Sequence, residues 1–432
     1  MSSFTRRQFL GTAAALSAAP LLSKLPAAAF ASGSDRLKVG LIGSGGRGVS
    51  AMRNCLDADP SVIVWAIGDA FADRLESARD NLVNGTPKSR RPRPPVAPER
   101  LAIPPERQFV GLDAYKKVIN SGVDLVILAT PPQFRPEHME AAINAGVHVF
   151  AEKPVAVDVA GVRRVISVGE LAKQKRLAIV AGTQFRYSDH YIETMRRVHD
   201  GDIGELVGGQ FYYLTNGLWH HARKPGWTDM EYQIRNWLYY TWLSGDHIVE
   251  QHIHNLDVMN WAFGGPPIKA LGMGGRQSRT DPKYGNIFDH FAVEYEYANG
   301  VRVQSMCRQA PGASTRSNTE RLVGTKGTAR LPAAITGPKA WKFTDDTPNG
   351  LVAEHVALIK GIRNGAPLND ARRVAESTLT AILGRNSAYT GREINYAWLL
   401  NASKENLTPE TCRLDMAPPK SEIAIPGVTP LV

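Results

Sequence analysis

LKVGLIGSGGRG, residues 37–48, decides the fold of this chain. Six mostly apolar residues form a short strand and run without a spacer into Gly43, Ser44, Gly45, Gly46, Arg47 and Gly48. The residues that follow, VSAMRNCL, carry a helical pattern. Glycines at this spacing say little alone, but in the order strand, glycines, helix they mark a dinucleotide-binding unit. Gly43 permits the tight turn, Gly45 lets the backbone approach a pyrophosphate, and Gly48 lets the helix pack on the strand. The start of the helix offers its unpaired N–H groups to the phosphates.

Working outward, SVIVWAIGD supplies a second strand ending at Asp69, about twenty residues beyond the loop, where a carboxylate accepts ribose hydroxyls. The same carboxylate would repel a 2′-phosphate, which favours NAD over NADP; an Asp there could also cap the following helix. Residues 84–108, rich in proline and arginine, show no helical or strand period. They are expected to form an inserted extended loop, either a surface excursion or a subunit-contact arm. The order then resumes with VDLVILATPP, a strand closed by Thr130, Pro131 and Pro132, and with VHVFAEKP at 147–154. Strands alternating with helices argue for a parallel, doubly wound sheet. Glu152, Lys153 and Pro154 fall at a strand end, where such sheets place ligands. A lysine beside a carboxylate there suits proton transfer; an ordinary charged turn is the competing reading. These boundaries give a dinucleotide-binding Rossmann domain over 36–153, a second domain over 154–400, and a surface tail over 401–432.

Two stretches of the second domain carry chemistry. Residues 211–242 are unusually aromatic, with Trp237 among several tryptophans and tyrosines interleaved with histidines and basic residues. Flat rings with polar tips suit the face and rim of a sugar; core packing or a subunit contact would use the same residues. SGDHIVEQHIHNLDVMNWAFG, 244–264, reads as one helix from near Gly245 to Gly264. His247, Glu250, His254 and Asp257, spaced 3, 4 and 3 apart, then share one face. That spacing also permits a metal site at His247, Glu250 and His254.

The glycine loop at 43–48, ATPP at 129–132 and above all AEKP at 151–154 resemble the Gfo/Idh/MocA oxidoreductases. The resemblance covers nearly all of the chain after its leader. It implies an α/β fold: an N-terminal NAD(P)-binding Rossmann domain, then an α+β domain with an open, predominantly antiparallel mixed sheet. It implies a cofactor contacted by Thr130, Pro131, Glu152 and Lys153, with Lys153 near the nicotinamide and the reacting hydroxyl. GTQFRY at 182–187 is similar to the segment entering the family's substrate cleft, which puts Arg186 and Tyr187 near substrate; packing at the domain boundary is the alternative for Tyr187. His254 and Asp257 match the family's histidine and its later aspartate, while Glu250 stands where an aspartate is usual. His254 would then work with Lys153 as acid/base or hydroxyl-orienting group, and Asp257 would fix its tautomer or pack the helix end. This chemistry needs no metal.

The chain has 432 residues, 43% of them hydrophobic and 21% charged, ordinary for a globular protein with two sizeable cores. Three scattered cysteines make neither a disulfide framework nor a zinc pattern. The net charge of +10 comes without an arginine-lysine stripe, so nucleic acid is not expected as a partner. Residues 1–31 resemble a twin-arginine export signal: TRRQFLG, an apolar run from Leu10 to Leu25, and Ala29-Phe30-Ala31 as a cleavage site. The run is too short for a comfortable membrane span. Its removal takes away Arg6, Arg7 and Lys24 and lowers the charge to +7. The expectation is a periplasmic or otherwise exported, homo-oligomeric oxidoreductase, delivered by the twin-arginine machinery and acting on a sugar or polyol. Its NAD would be tightly bound, because free NAD is scarce outside the cytoplasm. The alternatives are redox-neutral glycoside cleavage through transient ring oxidation, and a non-catalytic carbohydrate-binding relative.

Overall fold

The computed structural model describes residues 36–86, 92–313 and 315–432; the leader expected over 1–31 lies outside them. The first layer grows from six short parallel strands: β1 (Leu37–Ile42), β2 (Val62–Asp69), β3 (Gln108–Val110), β4 (Leu125–Leu128), β5 (His148–Ala151) and β6 (Ile179–Ala181). Their order is β3-β2-β1-β4-β5-β6, every neighbouring pair parallel. The connecting helices are α1 (Gly46–Ala58), α2 (Ala72–Asn84), α3 (Ala114–Ile119), α4 (Arg135–Asn144) and α5 (Val159–Lys175). Val39, Leu41, Val126 and Phe150 are fully buried, as expected where helices cover both faces of a parallel sheet and the strands become continuous apolar runs. Asp158 starts α5 by accepting a hydrogen bond from Gly161 N at 2.7 Å. Because β6 belongs to this sheet, the boundary expected at residue 153 falls inside the layer rather than at its edge.

A second sheet begins after α6 (Asp189–His199). It comprises β7 (Leu206–Thr215), β8 (Lys269–Gly275), β9 (His290–Glu296), β10 (Arg302–Gln309), β11 (Ser317–Gly324), β12 (Thr328–Leu331), β13 (Ala334–Thr336), β14 (Trp341–Lys342) and β15 (Ile394–Asn395). Only the β7–β10 pair is parallel, so the sheet is mixed and mainly antiparallel. A hairpin turn at Asn299-Gly300 joins β9 to β10.

Between β7 and β8 lie α7 (Asp229–Arg235), α8 (Thr241–Ser244), α9 (His247–Glu250) and α10 (Ile253–Phe263). The single helix expected from Gly245 to Gly264 is therefore divided. At the break, Gln251 Oε1 accepts from Tyr213 OH at 3.2 Å, and His252 Nε2 meets Ser305 Oγ at 2.6 Å. Both partners lie on the second sheet, so side-chain contacts made there hold the turn open. The long helices α11 (Gly350–Arg363) and α12 (Ala371–Thr390) follow the second sheet's strands up to β14, and a short helix α13 (Tyr396–Ala402) comes after β15. Leu358, Ile359 and Ile362 of α11 join the core around β1 and α1.

The described part of the proline-rich insertion is packed on the edge of the parallel sheet. Ala102 N donates to Val64 O at 2.9 Å, and Arg100 binds the carbonyls of Leu56, Asp59 and Val62. It covers part of β2 that would otherwise be an open edge. Residues after Ala402 form no further helix or strand, and Leu407, Cys412 and Leu414 pack against the aromatic cluster around Tyr239. No helix among the described residues is long and apolar enough to cross a membrane.

Candidate active site

The turn from β1 into α1 is shaped by what its glycines meet. Gly43 has φ +91°, and a Cβ there would lie 2.6 Å from the backbone of Ala129 and Thr130. A Cβ on Gly48 would lie 1.9 Å from Gly43 O, whereas Gly45 and Gly46 face open space. Two glycines thus allow close packing and two leave a cradle empty of protein atoms, as a pyrophosphate at a helix N-terminus requires. The loop opens onto a cavity of about 430 Å³, which Thr130 and Pro131 also line. Asp69 sits on its wall: Oδ2 accepts from Ser44 N at 2.7 Å and Oδ1 from Phe71 N at 3.0 Å. Burial pushes its carboxyl upward, against the pull of those two N–H donors. The carboxylate therefore braces the loop and retains lone pairs for a ribose hydroxyl.

Arg47 and Glu152 are joined to each other. Arg47 Nε donates to Glu152 Oε1 at 2.6 Å, and its guanidinium lies 3.8 Å from buried Glu354. Glu152 is buried behind the loop, close enough that a Cβ on Gly182 would stand 3.0 Å from its carboxylate. The pair clamps the glycine loop to the end of β5. Arg135, which the sequence reading passed over, fixes the same corner. It donates to the carbonyls of Thr130 and Glu152, each at 2.9 Å, and to that of Pro154. Its burial lowers the guanidinium to about 10. The signal was its place in TPPQFRPEH, three residues past the Thr-Pro-Pro that follows β4.

Lys153 projects from this corner and donates through Nζ to the backbone carbonyl of Glu250. The Glu250 side chain is buried, Oε1 has no hydrogen-bond partner among the described residues, and burial pushes the carboxyl up to about 7. Burial lowers the Lys153 ammonium, opposed by the charges of Glu250 and Glu152. Burial, and Lys153 next, hold His254 well below the ordinary range, so its imidazole is neutral at pH 7. Its Nδ1 is likewise unpartnered among the described residues. Lys153, Glu250 and His254 thus converge, although 97 residues separate the lysine from the glutamate. A part-buried lysine whose charge burial disfavours, a carboxyl near neutrality and a neutral imidazole are groups chemically able to exchange protons.

Other expected site residues go elsewhere. Asp257 makes no hydrogen bond to His254. It is buried, accepts from Arg186 Nε at 2.8 Å, Arg373 Nη1 at 3.2 Å and Ser377 Oγ at 2.8 Å, and burial alone would raise it. The two guanidiniums outweigh burial and hold it at about 2. Arg186 is occupied by that pair and by the Trp261 ring at 4.7 Å. Tyr187 donates to Asp370 at 2.8 Å and packs on the core of the parallel sheet. These three residues are engaged in holding α10, α12 and the 184–187 turn together. Trp237 lines a cleft, but it is the dinucleotide cavity, shared with Trp219. The metal reading fails on geometry: His247 turns to Asp246 at 2.9 Å and to Phe291, because the helix breaks before His254. Among the described residues no three metal-binding side chains gather.

Two family models match. One, an oxidoreductase family with an NAD-binding Rossmann fold, matches residues 37–182; the other, the GFO/IDH/MocA C-terminal domain, matches residues 191–330. The chain belongs to the Gfo/Idh/MocA family. Among its relatives, an inositol 2-dehydrogenase of Klebsiella pneumoniae is 29% identical over 225 residues, which is 52% of this chain and 54% of that protein. A glycosyl hydrolase family 109 protein of Streptomyces coelicolor is 28% identical over 198 residues, 45% of this chain and 37% of that protein. The chain thus spans about half, or less, of these relatives' length. The crystal structure of an aldose-aldose oxidoreductase from Caulobacter crescentus, complexed with glycerol, superposes with a TM-score of 0.62 at 18% identity, covering 83% of this chain and 99% of that one. That likeness extends to the fold. The Gfo/Idh/MocA architecture accounts for both sheets, and the first domain is an NAD-binding one.

Proposed function

We propose that the protein is an exported oxidoreductase that oxidises or reduces a sugar or polyol hydroxyl with a resident NAD. The observation that carries this is the convergence of Lys153, Glu250 and His254 at the end of β5, next to a cradle shaped for a dinucleotide. When bound, the nicotinamide supplies the hydride acceptor. Oxidation of a secondary alcohol also releases the hydroxyl proton, and this chain's residues take it. Lys153, which burial biases towards the neutral amine, receives it at Nζ to become the ammonium, and the Glu250 carboxylate stands next to relay it. Neutral His254 orients the hydroxyl through a ring nitrogen. Asp69, near the ribose position, favours NAD over NADP, since its charge opposes a 2′-phosphate. Export is supported by TRRQFLG and the apolar run after it, and a resident cofactor follows from export. The open face of the second sheet suits self-association into a homo-oligomer.

A second reading is redox-neutral glycoside cleavage, in which ring oxidation acidifies a neighbouring C–H before elimination. It is favoured by Glu250: a carboxyl held near neutrality can protonate a departing oxygen.

The test is to denature the purified protein and identify the released nucleotide by its absorbance and mass. A sugar panel is then followed at the reduced-nicotinamide absorbance, alongside glycoside-cleavage assays. Stoichiometric NAD with reduction by a sugar supports the first reading; cleavage without net reduction supports the second. Absence of nucleotide, together with failure to bind added NAD, refutes both.

A further inference from the structure

The dinucleotide cavity is not walled by the parallel sheet alone. Trp219, His221, Arg235 and Trp237, all from the second half of the chain, complete it. They belong to the segment running from the end of β7 through α7 to Trp237, which crosses to the corner between β2 and α2. Three contacts pin it there. Arg235 makes a two-pronged ion pair with Asp73 at 2.9 and 3.0 Å. Its guanidinium also lies over the Phe71 ring, 3.8 Å from the centroid. Arg74 Nη2 meets His221 Nε2 at 2.8 Å.

This corner belongs to the β1-β2-β3 half of the sheet, and the acid that ends β2 marks the adenosine end of a bound dinucleotide. Lys153 stands on the other half, beyond β4. The aromatic segment therefore serves the purine end and not the reacting end. Its chemistry matches: a purine offers two flat apolar faces, which indole and phenyl rings stack on in a sequence-tolerant way. Trp219 stands 4.8 Å from His221 and 6.5 Å edge-on from Trp237, with 42% of its surface exposed on the cavity wall. A tryptophan needed only to pack the two halves together would be buried between them.

We infer that the segment 219–237 is the purine-binding wall of the cofactor site, and that the Arg235–Asp73 pair is the latch a nucleotide must open to leave. The inference rests on the NAD reading above and deepens it, because it gives retention of the cofactor a physical cause.

The test uses the full-length protein, stripped of nucleotide and titrated calorimetrically with NAD and with AMP. Trp219→Ala should weaken both by about tenfold, the size of one lost ring-on-base contact, and Trp219→Phe should restore most of the loss. Asp73→Asn, at a half-exposed position, should speed release of NAD into excess competitor several-fold. NAD affinity unchanged in Trp219→Ala, or weakened for NAD but not AMP, overturns the purine assignment. Unchanged release in Asp73→Asn overturns the latch. If the parent protein binds neither nucleotide, the NAD reading itself fails and this inference falls with it.

Discussion

Replacing Asp257 with asparagine should cost stability and leave cofactor binding intact. The carboxylate accepts from Arg186 and Ser377 at 2.8 Å and from Arg373 at 3.2 Å. Its displacement from 3.8 to about 2 corresponds to roughly 2–3 kcal/mol of stability at neutral pH. Because the folded value is depressed, that contribution is present above pH about 4 and is lost as pH falls through about 2. The substitution does more than remove it, since breaking a buried pair strands the partner charges at roughly 3–5 kcal/mol. Here Arg373 keeps Asp370 at 2.8 Å and Arg186 keeps the Trp261 ring, and an asparagine oxygen still accepts from Ser377. The expected loss is therefore at the lower end, about 3 kcal/mol. Urea unfolding of parent and Asp257→Asn at pH 7 measures it, and the gap between them should narrow towards pH 3. A loss below about 1 kcal/mol, or a collapse of sugar affinity at unchanged stability, would refute the clamp and return Asp257 to the substrate.

The glycine loop gives a paired contrast. Gly48→Ala should destabilise the fold by about 1–3 kcal/mol, its methyl group meeting Gly43 O, whereas Gly45→Ala should unfold like the parent yet bind NAD less tightly. Lys153→Met should lower hydride exchange with sugar by roughly 10²–10⁴-fold while the nucleotide released on denaturation stays stoichiometric; undiminished exchange would remove Lys153 from the chemistry. The rate of sugar oxidation should rise through pH about 7 as the Glu250 carboxylate forms, and Glu250→Gln should lack that limb. The same raised value has an opposite sign for stability. Glu250's contribution is complete below about 4.5 and lost as pH rises through about 7, so Glu250→Gln should gain on the parent above neutrality in thermal unfolding.

The glycine loop and the strands of the parallel layer were legible because their constraints are local. The strand LKVGLI, the glycine that must turn with φ +91° and the glycine that must pass within contact of Gly43 O are set by neighbours in sequence. So is the lysine at the end of β5, since strand ends in a parallel sheet face the ligand whatever follows. The second half was read less fully, for a physical reason. Arg186, Tyr187, Asp257 and Trp237 have side chains that serve a substrate, an ion pair or a cofactor wall equally well. What chooses among those uses is a partner far away in sequence. Arg373 lies 116 residues beyond Asp257 and claims it; Asp370 lies 183 beyond Tyr187; Asp73 lies 162 before Arg235 and draws the aromatic segment over the cofactor cavity. The helix expected through 245–264 breaks because Tyr213 and Ser305 on the second sheet hold Gln251 and His252, and that break separates His247 from His254. Sequence alone determined the dinucleotide loop, the parallel layer and the place of Lys153 at a strand end, because covalent neighbours and strand direction impose them. Only the tertiary structure decided which polar and aromatic residues face the cleft, because that depends on charges and surfaces brought together by folding.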